Sequence, residues 1–446
     1  MTVARTICLG FLALIALGTL LLLLPFSTSS EGWNDPIVAL FTATSAVCVT
    51  GLAVVDTGTD FSLWGQICIL FLIQVGGLGY MTTTTFLILL IGRRFDLRHK
   101  IAIQESFDRP LLQGSQNLIR SIIGMTLFFE ITGIFALLFV FVPDFGWSQG
   151  LWLSIFHSIS AWNNAGFSLF PDSLVRYRSS VPINITVPAL IIFGGIGYQV
   201  IMEMYNWFLN IVQRRKIRFT FSLNFKVVTS TTIFLLILGT IAFLFTELAN
   251  PETFGMLSFA EKMMAAWFQS VTTRTAGFNT VDFGLLQAAA LFITMGFMLI
   301  GASPSGTGGG MKTTTIRIIS SCTRSMLRGK DDVHLFARRV PNTLILKAIA
   351  VVFGSLATIV IGTILVFLSE AQGSFEFIQI FFEVISAFAT VGLSMGITAS
   401  LSAGGKIILV CIMYIGRVGV LLFMAAILGD PKPSVIQYPE ENLLVG

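Results

Sequence analysis

Phe382-Glu383-Val384-Ile385-Ser386-Ala387-Phe388-Ala389-Thr390-Val391-Gly392-Leu393-Ser394 is a short apolar run with a glycine near its end, and the chain repeats it. Phe41 to Ala53 reads FTATSAVCVTGLA, Phe156 to Ser168 reads FHSISAWNNAGFS, and Trp267 to Asn279 reads WFQSVTTRTAGFN. Each copy places an aromatic residue ten positions before its glycine and Leu or Phe directly after it. Three copies carry Ser-Ala at one offset (Ser45-Ala46, Ser160-Ala161, Ser386-Ala387); the remaining copy has Val271-Thr272 there. The glycines Gly51, Gly166, Gly277 and Gly392 lie 115, 111 and 115 residues apart. A repeat this regular fixes the architecture.

Of the 446 residues, 54% are hydrophobic and 11% charged, whereas a soluble domain carries about 25% charged residues. The chain reads as an integral membrane protein. Apolar runs of the about 20 residues needed to cross a bilayer lie near 7–24, 64–91, 118–142, 184–212, 223–246, 284–301 (continuing beyond a break to about 320), 343–368 and 404–428. The first is a span rather than a signal peptide, because Pro25-Phe26-Ser27 follows it in place of a small-residue cleavage site. The four glycine-ended repeats fall between successive pairs of runs. Each has room for a helix of only about 12–15 residues, too short to cross and therefore re-entrant or interfacial. The expected fold is all-α integral membrane: four helix–re-entrant loop–helix units around a pseudo-fourfold pore, with eight transmembrane spans. The units are 1–95, 96–215, 216–330 with a broken sixth span, and 331–430, followed by a C-terminal tail, 431–446.

Lys and Arg set the orientation. Arg93, Arg94, Arg98, Lys100 and Arg109 lie between units one and two, and Arg214, Arg215, Lys216, Arg218 and Lys226 between two and three. Arg324, Arg328, Lys330, Arg338, Arg339 and Lys347 lie between three and four. The other side carries mostly acids, among them Asp56, Asp60, Asp144, Asp172, Asp282 and Glu376. The basic loops and both termini are thus expected on the cytoplasmic side of the plasma (inner) membrane, in contact with membrane lipid.

Several function classes are disfavoured. A net charge of +4 is too small to point to nucleic acid. Cys8, Cys48, Cys68, Cys322 and Cys411 are odd in number and scattered, which suits neither a disulfide framework nor a zinc site. The three histidines, His99, His157 and His334, are far apart and no HExxH occurs, so an enzyme or a metal centre is not expected, and no organic cofactor. His157 reads as a satisfied helix histidine.

Irregular backbone at membrane depth is tolerated where it is buried in protein or lines a watery cavity. Four related loops around one axis would turn their carbonyls toward a single line, as is needed to hold a dehydrated potassium ion. Glycine permits the left-handed backbone this requires, and short helices ending there aim their negative ends at a cation. The candidate filter residues are Val49, Thr50 and Gly51; Asn164, Ala165 and Gly166; Thr275, Ala276 and Gly277; and Thr390, Val391 and Gly392.

The chain resembles the membrane subunits (KtrB type) of bacterial Ktr potassium uptake systems, within the wider Trk/Ktr/HKT superfamily, over essentially its whole length. The resemblance rests on Thr50-Gly51-Leu52 with Val54-Val55-Asp56-Thr57-Gly58, on Ala161-Trp162-Asn163-Asn164-Ala165-Gly166-Phe167, and on Thr272-Thr273-Arg274-Thr275-Ala276-Gly277-Phe278-Asn279. It implies transport of K+, with Na+ an open question as activator. It also implies a homodimer, each subunit with its own pore, on a cytosolic KtrA-like ring of nucleotide-binding RCK subunits. In plant relatives a serine at the first filter glycine goes with sodium selectivity; four glycines here point to potassium.

The sixth run breaks at Ile300-Gly301-Ala302-Ser303-Pro304-Ser305-Gly306-Thr307-Gly308-Gly309-Gly310-Met311-Lys312, where glycines and a proline cannot stay helical. Broken helices at membrane depth mark transport pathways. The resemblance makes Ser303, Pro304, Ser305, Gly306, Thr307, Gly308, Gly309, Gly310 and Lys312 a gating loop, faced by the mid-span Arg417. Arg274, three residues before Gly277, is expected to support the filter from behind, with Glu383 as its partner. Glu130 and Glu203 read as packing acids or subunit contacts. Gly76-Gly77-Leu78-Gly79 and Gly194-Gly195-Ile196-Gly197 read as close helix packing, not nucleotide motifs. The competing function is a sodium-permeable or sodium-coupled alternating-access carrier. Such carriers usually show two inverted repeats, whereas this chain shows four parallel ones.

Overall fold

The computed structural model describes residues 2–79, 115–214, 219–330, 332–370 and 375–429. In the first unit, Thr2 caps α1 (Val3–Leu23) by accepting the Arg5 N–H, and the helix stops before Pro25. Asp35 caps the short α2 (Pro36–Val47), and Ser62 caps α3 (Leu63–Leu78). Pro36 suits the first turn, where its missing N–H would be unpaired anyway. The second unit begins with α4 (Ser115–Trp162), which contains Pro143 and turns at Gly146 (φ 78°). Its later part is the second copy of the repeat; α5 (Val181–Ile196) and α6 (Tyr198–Val212) follow. The third unit holds α7 (Leu223–Glu247), α8 (Phe259–Thr272), α9 (Ala288–Leu299) and α10 (Thr313–Met326). A two-stranded hairpin of β1 (His334–Leu335) and β2 (Arg338–Arg339) leads to the fourth unit. That unit is α11 (Asn342–Ser369), α12 (Phe377–Ala389), α13 (Ala403–Val418) and α14 (Val420–Leu428).

Within each unit the short re-entrant helix packs against its neighbours, and the units close on one another. The helix after each filter segment packs on the next unit: α3 on α4, α5 on α8, α9 on α12, and α13 back on α2. The re-entrant helices are the most buried elements, with Phe41, Phe156, Phe268 and Phe382 fully enclosed. The outer helices are the reverse, exposing Phe353 and Leu368 on α11 and Ile237 on α7. Such a surface is unfavourable in water and natural against lipid tails. Among the described residues four helices are long and apolar enough to cross a bilayer, and two bent pairs qualify together. The chain is a multi-pass membrane protein.

One expectation is corrected. The runs 184–212 and 404–428 are not continuous: α5 and α6 meet at 102°, and α13 and α14 at 97°. The cause is a glycine at each break, Gly197 (φ 90°, ψ 140°) and Gly419 (φ 90°, ψ 137°), in a conformation other residues avoid. α3 also ends at such a glycine, Gly79 (φ 79°, ψ 133°); the remainder of the expected run 64–91, from 80 on, lies outside the described residues. The sixth run is therefore not exceptional in breaking, only in the length of its break. The three helix ends at Gly79, Gly197 and Gly419 align as Gly76-Gly77-Leu78-Gly79, Gly194-Gly195-Ile196-Gly197 and Gly416-Arg417-Val418-Gly419. The boundaries 95/96 and 215/216, residue 331, the tail 431–446 and the basic stretch from Arg93 to Arg109 lie outside the described residues.

Candidate ion filter and gate

Each re-entrant helix hands over to a three-residue strand of one backbone shape. Val49, Asn164, Thr275 and Thr390 open the strands with φ of 57°, 57°, 74° and 52°. Gly51, Gly166, Gly277 and Gly392 close them with φ of 89°, 69°, 76° and 89°, while the middle residues keep negative φ. Ordinary strands point successive carbonyls to opposite sides; reversing the sign of φ at alternate positions brings them to one side. A left-handed non-glycine residue is costly, and four at equivalent positions mark stored strain at a site.

The four strands form a closed ring. A Cβ built on Gly51 would strike the Ala165 carbonyl oxygen, and one on Gly166 would lie 2.7 Å from that of Ala276. One on Gly277 would lie 2.5 Å from the Val391 oxygen, and one on Gly392 would strike that of Thr50, returning to the first unit. Each glycine thus abuts the carbonyl preceding the next unit's glycine. Three strands are tied down identically: the N–H groups of Thr50, Ala165 and Val391 donate to the carbonyls of Ser45, Ser160 and Ser386, at 2.7, 2.8 and 2.9 Å. The unit lacking Ser-Ala differs, with Ala276 N–H donating to Thr272 at 3.0 Å. Outside the ring lies a cavity of about 370 Å³ that touches all four glycines, with Asp56 and Asp282 on its wall.

Inside the ring sits the long break of the third unit. Gly309 N–H donates to Thr390 Oγ1 at 2.9 Å, and Gly308 presses on the Thr275 side chain so closely that a Cβ has no room. The loop's ends are joined by a bond from Gly301 N–H to the Met311 carbonyl at 2.8 Å and by Ser303 Oγ against Thr313 Oγ1 at 2.9 Å. Its flank hangs from the end of α5: Ser303 N–H donates to Gly195 at 2.9 Å and Thr307 N–H to Gly194 at 3.2 Å. Tyr198 N–H donates in turn to the Ser305 carbonyl at 3.3 Å. The Arg417 guanidinium donates to the carbonyls of Thr307 and Gly76, joining the loop to the broken end of α3. Lys312 Nζ donates to the Gly308 carbonyl at 2.8 Å. A second cavity of about 370 Å³ reaches Ser305 to Gly308, Lys312 and Arg417. The loop thus lies between the candidate ring, which it touches at Thr275 and Thr390, and this second cavity.

Residues 6–434 match the family of TrkH cation transport proteins. The chain belongs to the TrkH family. It is 39% identical to Ktr system potassium uptake protein B of Bacillus subtilis (strain 168), over all of this chain and 97% of that one. It is 40% identical to the protein of the same name from Vibrio alginolyticus, over 99% and 94% of the two chains. Potassium/sodium uptake protein NtpJ of Enterococcus hirae is 37% identical, over 99% and 97%. The crystal structure of the potassium transporter TrkH from Vibrio parahaemolyticus superposes with a TM-score of 0.72 at 16% identity, covering 95% of this chain and 84% of that one. That likeness establishes the TrkH fold.

In this TrkH-family chain the expected partnership of Arg274 with Glu383 does not form. Glu383 accepts from Ser394 Oγ at 2.6 Å and from Thr398 Oγ1, so it holds the strand beyond the fourth filter glycine. Arg274 is buried among Ile191, Thr232, Val271 and Ala302, and its Nε has no partner among the described residues. The two residues stand in different units, and each unit packs its own re-entrant helix. His157 is satisfied, with Nδ1 2.8 Å from the Leu153 carbonyl and Nε2 3.0 Å from Ser168 Oγ. Glu203 braces Ser222, the residue that caps α7, by accepting from its N–H (2.9 Å) and Oγ (2.6 Å). Sequence reasoning missed the second task of the glycine pairs. Gly76 and Gly194 do pack tightly, against the Val47 and Trp162 carbonyls. The carbonyls of Gly76, Gly194 and Gly195, freed as each helix ends, are also the receptors for the loop and its arginine. A glycine repeated at each break was the available signal.

Proposed function

We propose that the chain takes up potassium across the plasma membrane through the ring of Val49 to Gly51, Asn164 to Gly166, Thr275 to Gly277 and Thr390 to Gly392. The observation that carries this reading is the cyclic contact of each glycine with the carbonyl before the next one. Carbonyl oxygens gathered on one axis can replace the hydration shell of K+, and the four helix C-termini add negative potential there. The loop from Ser303 to Gly310 is the gate, with Lys312 and Arg417 as its latches. Small side chains sweep little volume, so the loop moves aside once the bonds to Arg417, Lys312 and the end of α5 are released. The topology is eight spans and four re-entrant loops, with both termini cytoplasmic. Two relatives bear the name of a Ktr system, which supports a system of more than one component; the chain is read as a homodimer resting on a cytosolic RCK-type ring.

A second reading, sodium passage or coupling, is favoured by the name of the Enterococcus relative, a potassium/sodium uptake protein. One experiment separates the two: uptake of K+ in a strain lacking its own uptake systems, with and without Na+, for the wild type, Gly392→Ser and a deletion of 303–310. The expected result is K+ uptake by the wild type, lost or made sodium-permeable in Gly392→Ser and ungated in the deletion. Identical behaviour of wild type and Gly392→Ser would overturn the ring as a filter. Wild-type uptake seen only with Na+ would establish coupling.

A further inference from the structure

Behind the second filter strand stands an acid that neither filter nor gate uses. Glu130 lies in the first part of α4, at membrane depth and 4% exposed. Its carboxyl group is hydrogen-bonded by the side chains of Gln74 on α3 and Asn163 at the end of α4. Asn163 Nδ2 is 3.4 Å from Glu130 Oε1, 2.8 Å from Gln74 Oε1 and 2.9 Å from the Ile159 carbonyl oxygen. An amide nitrogen has two protons, so the three acceptors compete for them, and together they hold the nitrogen side of the amide toward α3 and the first part of α4. The same amide faces Gly77 with Oδ1, where the contact leaves no room for a Cβ.

Asn163 is thereby joined to both halves of the pathway. Asn164, the next residue, opens the second filter strand in the left-handed region and donates to Thr275 Oγ1 of the third at 3.2 Å. Gly77, on the other side of the amide, follows Gly76, whose carbonyl receives Arg417. The main chain of Glu130 adds a further tie, accepting from Ser158 Oγ at 2.7 Å. An ionisable residue in a membrane helix is costly, and its two amide partners here belong to the filter helix and the gate's anchor.

We infer that Glu130 is a positioning residue for cation selection: with Gln74 it clamps the Asn163 amide, and so sets the second filter strand and the Gly76–Gly77 turn in register. This rests on the filter reading above. It requires an oxygen acceptor at this point, not a charge.

The test is K+ uptake with Na+ and Rb+ as competitors, in Glu130→Ala, Glu130→Gln and Gln74→Leu, with the amount of each protein in the membrane measured. Glu130→Ala is expected to raise the KM for K+ about tenfold and to lose preference over Na+ by a similar factor, at wild-type abundance. Glu130→Gln, which keeps the acceptor oxygen, restores both to within about twofold, and Gln74→Leu falls between. An Ala variant with wild-type KM and preference overturns the inference, as does a Gln variant as defective as Ala. Should the Ala variant fail to reach the membrane, unchanged discrimination in Gln74→Leu overturns it instead. Gly392→Ser in the same assay keeps the two readings apart. If Gly392→Ser loses discrimination and Glu130→Ala does not, only the clamp fails; if neither does, the filter itself fails.

Discussion

The first and fourth units build their share of the ring in one way, the second and third in another. In units one and four a serine hydroxyl accepts from the filter glycine: Gly51 N–H to Ser45 Oγ at 3.0 Å, Gly392 N–H to Ser386 Oγ at 3.1 Å. In unit two the equivalent hydroxyl, Ser160, donates to the carbonyl of Phe167 after the glycine at 2.8 Å; in unit three the serine's place is Val271, and the next residue, Thr272, donates to Phe278 in the same way at 2.5 Å. The pairs differ in sequence too, with Leu52 and Leu393 against Phe167 and Phe278. The ring is fourfold in its backbone and twofold in its buttresses. What all four units share is the sign of φ and the contact of each glycine with a carbonyl of the next unit; the hydrogen bonds behind them serve that shape by either route.

The largest expected effect should ignore the pairing. Gly166→Ala and Gly392→Ala each force a side chain into a left-handed conformation and against the next unit's carbonyl. Strain of about 3 kcal/mol, more than a hundredfold in rate, is expected from either, read as K+ uptake at equal abundance. A Gly166→Ala protein that still transports normally would make the ring twofold in function as well. The next comparison is Ser45→Ala or Ser386→Ala against Ser160→Ala. The first two leave a buried N–H without a partner, at a cost of about 1–3 kcal/mol, while a carbonyl that loses one donor suffers less. Loss of K+ over Na+ preference should therefore be greater in units one and four, and equal losses would remove the distinction.

A smaller effect separates Thr390→Val from Thr275→Val. The first cuts the bond to Gly309 of the loop, the second the bond from Asn164. About threefold more leak in the closed state is expected from Thr390→Val, and a comparable change in selectivity without leak from Thr275→Val. The smallest lies at the outer end of α8, where Ser258 and Glu261 form a capping box and Ser179 of the second unit donates to Glu261 at 2.6 Å. These bonds, Ser179's first among them, hold the exposed Glu261 carboxyl at about 2, below its ordinary 4.5. A depressed carboxylate contributes stability above its unfolded value and loses it as the pH falls toward the folded one. The melting-temperature difference between wild type and Glu261→Gln should be small and flat from about pH 8 to 5, shrinking below. A difference that grew on acidification would break the assignment.

Much of this was legible in the chain because it is written four times. The glycine spacing picked out the four segments that meet in a ring, and the glycine-rich interruption picked out the loop between α9 and α10. The bends at Gly197 and Gly419 were hidden because hydropathy stays high across them; a single positive φ interrupts a helix without changing its composition. The arginine–glutamate pair failed for a related reason. Two buried charges suggest each other in sequence, yet Ser394 and Thr398 were already within reach of Glu383 on its own unit. The Glu130 clamp was invisible, since Gln74, Glu130 and Asn163 share no motif and meet only where two units touch.

Arg417 occupies the place that Gly77 and Gly195 hold in their own breaks, and that exchange depends on the units being fused in one polypeptide. In an assembly of four identical subunits any substitution at this place would arrive in four doses. Four guanidinium groups around one axis would repel each other and any cation between them. A tandem chain can change one quarter and leave the rest. Here one quarter has gained a guanidinium, the first supplies a carbonyl that receives it, the second supplies carbonyls that receive the loop, and the third has lengthened into that loop.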